Sequence, residues 1–90
     1  MMITLKELIQ DISYASVAVT IETPIARNDF AMKIDHVAES DGGYYVEGDN
    51  ECSLEILDGA DIEKTTSIHG QNATYYIEKS DCTICIKLDG

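Results

Sequence analysis

The sequence predicts an α+β fold, in which an N-terminal amphipathic helix packs on a bent antiparallel sheet of five or six strands. One segment near the N-terminus repeats apolar residues with helical spacing, and most of the rest alternates apolar and polar residues as strands do. Short strands joined by tight turns pair as antiparallel neighbours, and one short helix covers only part of a sheet face. We expect residues 1–90 to fold as a single domain.

The predicted helix spans about residues 4–16. Its start is marked by the capping box Thr4-Leu5-Lys6-Glu7, in which the Thr4 hydroxyl accepts the Glu7 N–H and the Glu7 carboxylate accepts the Thr4 N–H. The apolar residues of this segment recur on one helical face: Leu5, Leu8, Ile9, Ile12 and Ala15. We expect this face to pack on the sheet and the opposite face to contact water.

Strands are predicted where apolar and polar residues alternate between turn signals. The alternating runs cover residues 17–22, 30–39, 44–47, 52–57, 62–69, 75–77 and 82–88. Asp41-Gly42-Gly43 predicts a tight hairpin, because these residues tolerate the positive φ that such turns require. Asp58-Gly59 and Gly70-Gln71-Asn72 predict further turns. The run at 62–69 is polar and rich in Thr, so we expect it at a sheet edge.

Carboxylates dominate the middle of the chain. Between Asp35 and Glu63 there are ten acidic residues and no Lys or Arg. They are Asp35, Glu39, Asp41, Glu47, Asp49, Glu51, Glu55, Asp58, Asp61 and Glu63. The formal net charge of the whole chain is −11, and this segment carries nearly all of it. Such a concentration of charge repels nucleic acid and acidic membranes and attracts basic surfaces.

Strand alternation gives these carboxylates a direction. If Met32 and Ile34 face the core, His36 faces it too, and Asp35 and Glu39 face outward. The hairpin sets these outward residues beside those of the returning strand, and this acidic side is predicted to bind a partner. The predicted partner-binding residues are Asp35, Glu39, Asp41, Tyr45, Glu47, Asp49, Glu51 and Glu55.

This arrangement predicts a non-catalytic protein that occupies the basic groove of a DNA- or RNA-processing protein. Alternate residues on a strand lie about 6.6 Å apart, so a row of carboxylates imitates the regular charge of a nucleic-acid backbone. An exposed Tyr45 would add an anchor, because tyrosine is large, stiff and amphipathic. Like charges side by side destabilise a sheet, which favours an external role for them.

In size and charge, the chain is similar to the small acidic inhibitors that phages direct against host-defence enzymes, including anti-CRISPR and anti-restriction proteins. The resemblance lies in composition and involves no sequence motif. It implies a stoichiometric blocker of a host-defence nuclease complex, acting in the host cytoplasm. It assigns no role to any residue.

Two other interpretations stay open. One is a solvated acidic face that keeps a small protein in solution. The other is a structural or assembly protein that forms a homodimer through an exposed sheet face or edge strand. In that case the apolar residues predicted to face outward, such as Val37 and Leu57, matter more than the carboxylates. Charge-driven binding weakens as salt rises, whereas a hydrophobic dimer does not.

Metal-binding and catalytic patterns are incomplete, and we expect no cofactor, no metal and no enzyme activity. Cys82-Thr83-Ile84-Cys85 has zinc spacing, but on a strand its two thiols face opposite sides, and the other ligands would have to be Cys52 and His69. Two Asp-rich turns resemble only fragments of calcium loops. No nucleophile motif or phosphate-binding glycine loop accompanies His36.

The sequence also predicts a cytoplasmic protein that contacts neither membranes nor nucleic acid directly. Its N-terminus lacks the basic and apolar regions of a secretory signal. No apolar run approaches the roughly 20 residues of a membrane span. The three cysteines are an odd number, which favours reduced thiols over a disulfide framework.

Overall fold

The computed structural model describes residues 1–66 and 72–88. These residues form one helix and seven strands. In chain order they are α1 (Leu5–Ile12), β1 (Ser16–Thr23), β2 (Ala26–Ser40), β3 (Gly43–Gly48), β4 (Ser53–Leu57), β5 (Asp61–Thr66), β6 (Ala73–Lys79) and β7 (Cys82–Leu88). The end of the strand predicted at 62–69 and most of the turn predicted at Gly70 lie outside the described residues.

The prediction of an α+β fold with five or six strands is wrong. The protein is mostly a seven-stranded antiparallel sheet, and only 10% of it is helical. The capping box is present, with the Glu7 N–H 3.1 Å from the Thr4 hydroxyl. However, α1 ends at Ile12 rather than near residue 16, because Ser13 leaves helical geometry and Tyr14 takes a φ of 62°. Over the described residues, no helix is long and apolar enough to cross a membrane.

The strands follow the order β4-β3-β2-β1-β7-β6-β5, and neighbours are antiparallel. Strand β2 is 15 residues long and takes part in two regions of the sheet. Its first half pairs with β1 and, with β7, β6 and β5, forms what we call the broad part. Its second half pairs with β3 and, with β4, forms the narrow part. The sheet folds over at β2, where the register shifts between Ile34 and His36.

The two parts of the sheet and the helix enclose one apolar core, to which every strand contributes. Its largest fully buried side chains are Tyr75, Leu8, Ile12, Ile34, Ile56, Ile86, Val19 and Val46. Alternate residues of each strand supply these side chains, as the two-residue period of a strand requires. Burial of one such aliphatic side chain contributes about 1.5–3 kcal/mol, so this core is the main source of stability.

A polar cluster attaches the C-terminal end of α1 to the sheet. The Asp11 carboxylate accepts hydrogen bonds from the Lys64 ammonium at 2.9 Å and from the Tyr75 hydroxyl at 2.8 Å. Lys64 also lies 5.7 Å from the centre of the Tyr75 ring, within cation–π range. The hydrogen bond from Lys64 is the main cause that holds the pKa of Asp11 below its ordinary value. Burial, together with Asp11, raises the pKa of Tyr75.

Residues 1–3 cover the outer edge of β5. The Ile3 N–H donates to the Ile62 carbonyl at 3.0 Å, and the Lys64 N–H donates to the Met1 carbonyl at 2.8 Å. Strand β5 stands last in the strand order, which confirms that Asp61–Thr66 is terminal in the sheet. The N-terminal residues nevertheless satisfy backbone groups that an edge strand would leave open.

Replacing Asp11 with Asn should lower the free energy of unfolding by about 1 kcal/mol, because Lys64 and Tyr75 lose a charged acceptor at a partly exposed site. Folding depresses the pKa of Asp11 below 3.8. The carboxylate's contribution is therefore fully present above about pH 5 and is lost as the pH falls through the depressed pKa. Urea unfolding of both proteins at about pH 7 and about pH 3 measures the difference, which should shrink at the lower pH. Equal stability of the two proteins at about pH 7 would contradict this role.

Candidate functional site

A bulge in β2 determines which residues face outward on the second half of this strand. Ile34 lies opposite Gly48, whereas His36 lies opposite Glu47. Asp35 is therefore an extra residue without a partner across the ladder, which reverses the alternation of the residues that follow. Bulges bend a strand and increase its twist, and this one marks the position where β2 passes from the broad part to the narrow part.

The loop after β3 holds this bend in place. The Asp49 carboxylate accepts the Lys33 N–H at 2.9 Å, and the Asp49 N–H donates to the Lys33 carbonyl at 3.1 Å. We call this pair of hydrogen bonds the Asp49 clasp. Gly48 is needed beside it, because a β-carbon there would lie 2.8 Å from the Lys33 carbonyl and from Met32. The clasp thus connects the β3–β4 loop to the bend in β2.

The side of the narrow part that faces away from the core forms a small grid, which we call the outer face. Its rows, read from β2 to β4, are His36–Glu47–Ser53, Ala38–Tyr45–Glu55 and Ser40–Gly43–Leu57. Tyr45 has 36% of its surface exposed and lies directly opposite Glu55. Glu47 and Glu55 are diagonal neighbours, which places them about 7–8 Å apart.

The outer face carries negative charge without a neutralising cation. None of its nine residues is Lys or Arg. In the part of the chain that the structure describes, the two ion pairs join Arg27 to Asp29 and Lys64 to Asp11. Neither pair includes a carboxylate from the acidic segment 35–63. The negative charges of Glu47 and Glu55 are therefore available to a basic partner.

Three of the eight predicted binding residues meet on the outer face: Tyr45, Glu47 and Glu55. Asp41 lies in the turn at one end of β3, and Glu51 lies in the loop at the other end, both exposed. Asp49 is exposed in that same loop, but its carboxylate forms the clasp and serves the fold. The predicted row is therefore a compact centre with acidic residues beyond both ends of β3.

The predicted position of Glu39 on this face is wrong, whereas Asp35 lies at its border. Asp35 is the extra residue of the bulge and has no place in the rows. Glu39 lies opposite Tyr44, on the side of the sheet that carries the buried Val46. Both residues are exposed, but the reversed alternation after the bulge places Glu39 on the opposite side from Tyr45 and Glu47.

The reversed side-chain alternation after the bulge also makes two other predictions wrong. His36 was expected to face the core, and it is exposed directly opposite Glu47. Val37 was expected to face outward, and it packs against the core. Leu57 does lie on the outer face and has 48% of its surface exposed, because β4 has no bulge to change its alternation.

A second acidic surface was not predicted. It lies on the outward side of β5 and β6, where Asp61 is directly opposite Glu78, and Glu63 is opposite Tyr76. Tyr76 has 40% of its surface exposed. The acidic segment of the sequence is thus divided between the two parts of the sheet. The alternation of apolar and polar residues in segments 61–66 and 73–79 could have predicted that these side chains share one side of the sheet.

The two cysteines of the CxxC motif open onto different surfaces, as strand alternation predicts. Cys82 lines a cleft on the core side of the sheet. Cys85 lies on the outward side of β7, with Thr20 and Tyr76 as its cross-strand neighbours. His69, which the sequence offered as a further zinc ligand, lies outside the described residues. Among residues 1–66 and 72–88, no three His, Cys, Asp or Glu side chains are grouped as a metal site requires.

The cleft opens between β4 and the β6–β7 hairpin and has a volume of about 310 Å³. This is at the lower end of the range of about 300–1,000 Å³ that is usual for ligand pockets. Its apolar lining consists mainly of Ile56, Leu57, Ala60, Ile77, Cys82 and Ile84. Helix α1 contacts β6 at Tyr75, whereas the cleft lies further along β6, beyond the reach of this short helix.

Comparisons with the models of known protein families, with curated proteins and with solved structures found no match for the chain. The function of the outer face is therefore argued from its own geometry. Its defining features are an exposed aromatic ring, two adjacent carboxylates and a rigid three-stranded support.

Replacing Asp49 with Ala should lower the free energy of unfolding by about 1–2 kcal/mol, because the Lys33 N–H loses its acceptor at the bend. Replacing Glu51 with Ala is the matched control, since Glu51 is an exposed carboxylate of the same loop. That change should alter stability by no more than about 0.5 kcal/mol. Urea unfolding followed by circular dichroism measures both. Equal effects of the two substitutions would show that the Asp49 clasp contributes nothing specific.

Proposed function

We propose that this protein is a non-catalytic binding protein whose outer face docks into the basic groove of a protein that processes DNA or RNA. Docking would exclude the nucleic acid from that groove. The observation that carries the proposal is the grouping of Glu47 and Glu55 around the exposed ring of Tyr45. No Lys or Arg lies among them, which supports a basic external partner.

Charge and shape support different steps of the proposed encounter. The field of the acidic segment would steer a basic partner toward the outer face and raise the rate of association. Tyr45 would then supply contact area at a small cost in conformational entropy, since its side chain has few rotatable bonds. Both neighbouring strands are paired with β3, so the backbone positions of the three residues are fixed relative to one another.

The length of the acidic array suits an extended groove. Strand β3 contains six residues, which span about 20 Å at the usual strand rise. Asp41 and Glu51 extend the charge beyond its two ends. Under this proposal the protein acts in a cytoplasm, and its likeness in size and charge to phage inhibitors makes a host-defence nuclease complex the first partner to test.

A homodimer formed through β4 is the second candidate function. The observation in its favour is the exposure of Leu57, together with the unpaired outer side of β4 in the described part of the chain. Self-association at β4 would, however, bring two copies of Glu55 and two acidic segments together. Like charges across a strand pair are destabilising, so this candidate is the weaker one.

Changing both Glu47 and Glu55 to Lys should weaken binding to the basic partner by more than about tenfold, because two attractive charges become repulsive. Changing Glu63 and Glu78 to Lys is the matched control, since it alters the net charge equally on the second acidic surface. That control should weaken binding by less than about threefold. Biolayer interferometry against purified nucleic-acid-binding proteins, at two salt concentrations, measures both.

The proposal also requires competition and salt dependence. A partner that binds the wild-type protein should release its DNA or RNA as the protein is added, and the interaction should weaken as salt rises. Simultaneous binding of nucleic acid and protein would refute the exclusion mechanism. Equal losses in the two double variants would show that net charge, rather than the outer face, determines binding.

A further inference from the structure

Strand β4 has a free edge whose backbone groups can be identified from its pairing with β3. The Gly48 N–H donates to the Cys52 carbonyl at 2.9 Å, and the Asp58 N–H donates to the Gly42 carbonyl at 2.7 Å. In this register the backbone N–H and C=O groups of the core-facing residues of β4 form the hydrogen bonds to β3. The N–H and C=O groups of the alternate residues therefore point away from β3. These alternate residues are Ser53, Glu55 and Leu57.

Over the described residues, no strand pairs with this free edge. The other end of the sheet differs, because residues 1–3 pair with β5. An unpaired edge is a template for a further strand. A strand added beside β4 would receive hydrogen bonds from the backbone of Ser53, Glu55 and Leu57 without any rearrangement of β3.

The apolar cleft lies directly beside this edge. Glu55, Ile56 and Leu57 contribute to its wall from β4, and Ile77 and Ile84 form its floor. The cleft exists because α1 has only eight residues and is about 12 Å long, which is too short to cover the whole inner side of the sheet. A strand paired with β4 would project every second side chain over this cleft.

We propose that β4 and the cleft bind an extended segment of a partner protein, with a Lys or Arg flanked on both sides by apolar residues. The segment adds to the sheet antiparallel to β4. Its basic residue lies opposite Glu55 on the outer face, and its two apolar neighbours enter the cleft. Pairing of backbone groups provides affinity, and the alternating side chains provide specificity. This inference rests on the proposed role as a binding protein and names the kind of segment that the partner presents.

Charge complementarity selects this occupant over a second copy of the chain. Glu55 lies at the centre of the free edge of β4, and the chain carries a net charge of −11. A copy of β4 paired about Glu55 would oppose one carboxylate with another. A basic residue at the same position gains an opposite-charge partner, and the apolar neighbours remove the partly exposed side chains of Ala60 and Ile84 from water.

The test uses two capped peptides of about seven residues, which is the length of a strand. One alternates valine with lysine, and the other alternates valine with glutamate. Each is titrated into the full chain and followed by NMR, with hydrogen exchange at the Ser53, Glu55 and Leu57 amides. The lysine peptide should bind at least about tenfold more tightly than the glutamate peptide, and its binding should slow exchange at these three amides.

Three variants localise the interaction. Glu55→Lys should reverse the preference between the peptides, whereas Glu63→Lys, with the same charge change on the second acidic surface, should alter affinity by less than about threefold. Ser53→Pro removes one edge N–H at a position where an edge strand tolerates proline, and it should weaken binding by more than about fivefold. Melting temperatures close to the wild-type value verify the fold of each variant.

Several results would overturn the inference. Unchanged amide exchange on peptide binding, or equal effects of Glu63→Lys and Glu55→Lys, would reduce the interaction to long-range attraction. Protection of the three amides that rises with protein concentration, in the absence of peptide, would assign the edge to a second copy. Release of DNA or RNA from the partner tests the proposed competition separately, so peptide binding can fail while competition at the outer face persists.

Discussion

The bend in β2 is the constraint on which the rest of the structure depends. One long strand pairs with β1 along its first half and with β3 along its second half, so both parts of the sheet and the core between them rely on it. The extra residue at Asp35 and the Asp49 clasp at Lys33 hold the strand in this shape. Without the extra residue, the outward and inward residues in the second half of β2 would exchange sides.

The same constraint connects folding with binding. Because the sheet folds over at β2, the short helix α1 is enough to cover one end of the core. Asp11 attaches this helix to β5 and β6. The opposite end stays partly open and forms the cleft beside β4. The bend therefore leaves the molecule with an acidic outer face and an apolar groove that share Glu55, and a partner with alternating basic and apolar residues suits both.

Local patterns in the sequence predicted the capping box, the alternating runs and the turn signals, because each depends on residues within a few positions. They did not predict the end of α1 at Ile12, since the positive φ of Tyr14 follows from the chain's entry into β1. The bulge was missed because alternation alone cannot reveal an extra residue at Asp35. That single residue explains the wrong placement of His36, Val37 and Glu39. Tyr45, Glu47 and Glu55 were placed correctly, since β3 and β4 pair without a shift.

The register of the narrow part is the most direct test of this account. In an antiparallel sheet, α-protons approach most closely where the two residues do not exchange backbone hydrogen bonds. NMR spectra of the protein should therefore show strong cross-strand contacts between the α-protons of Val37 and Val46, and between those of Tyr45 and Glu55. Contacts that join His36 to Val46 instead would contradict the bulge at Asp35. They would return His36 to the core side and place Val37 and Glu39 on the outer face instead.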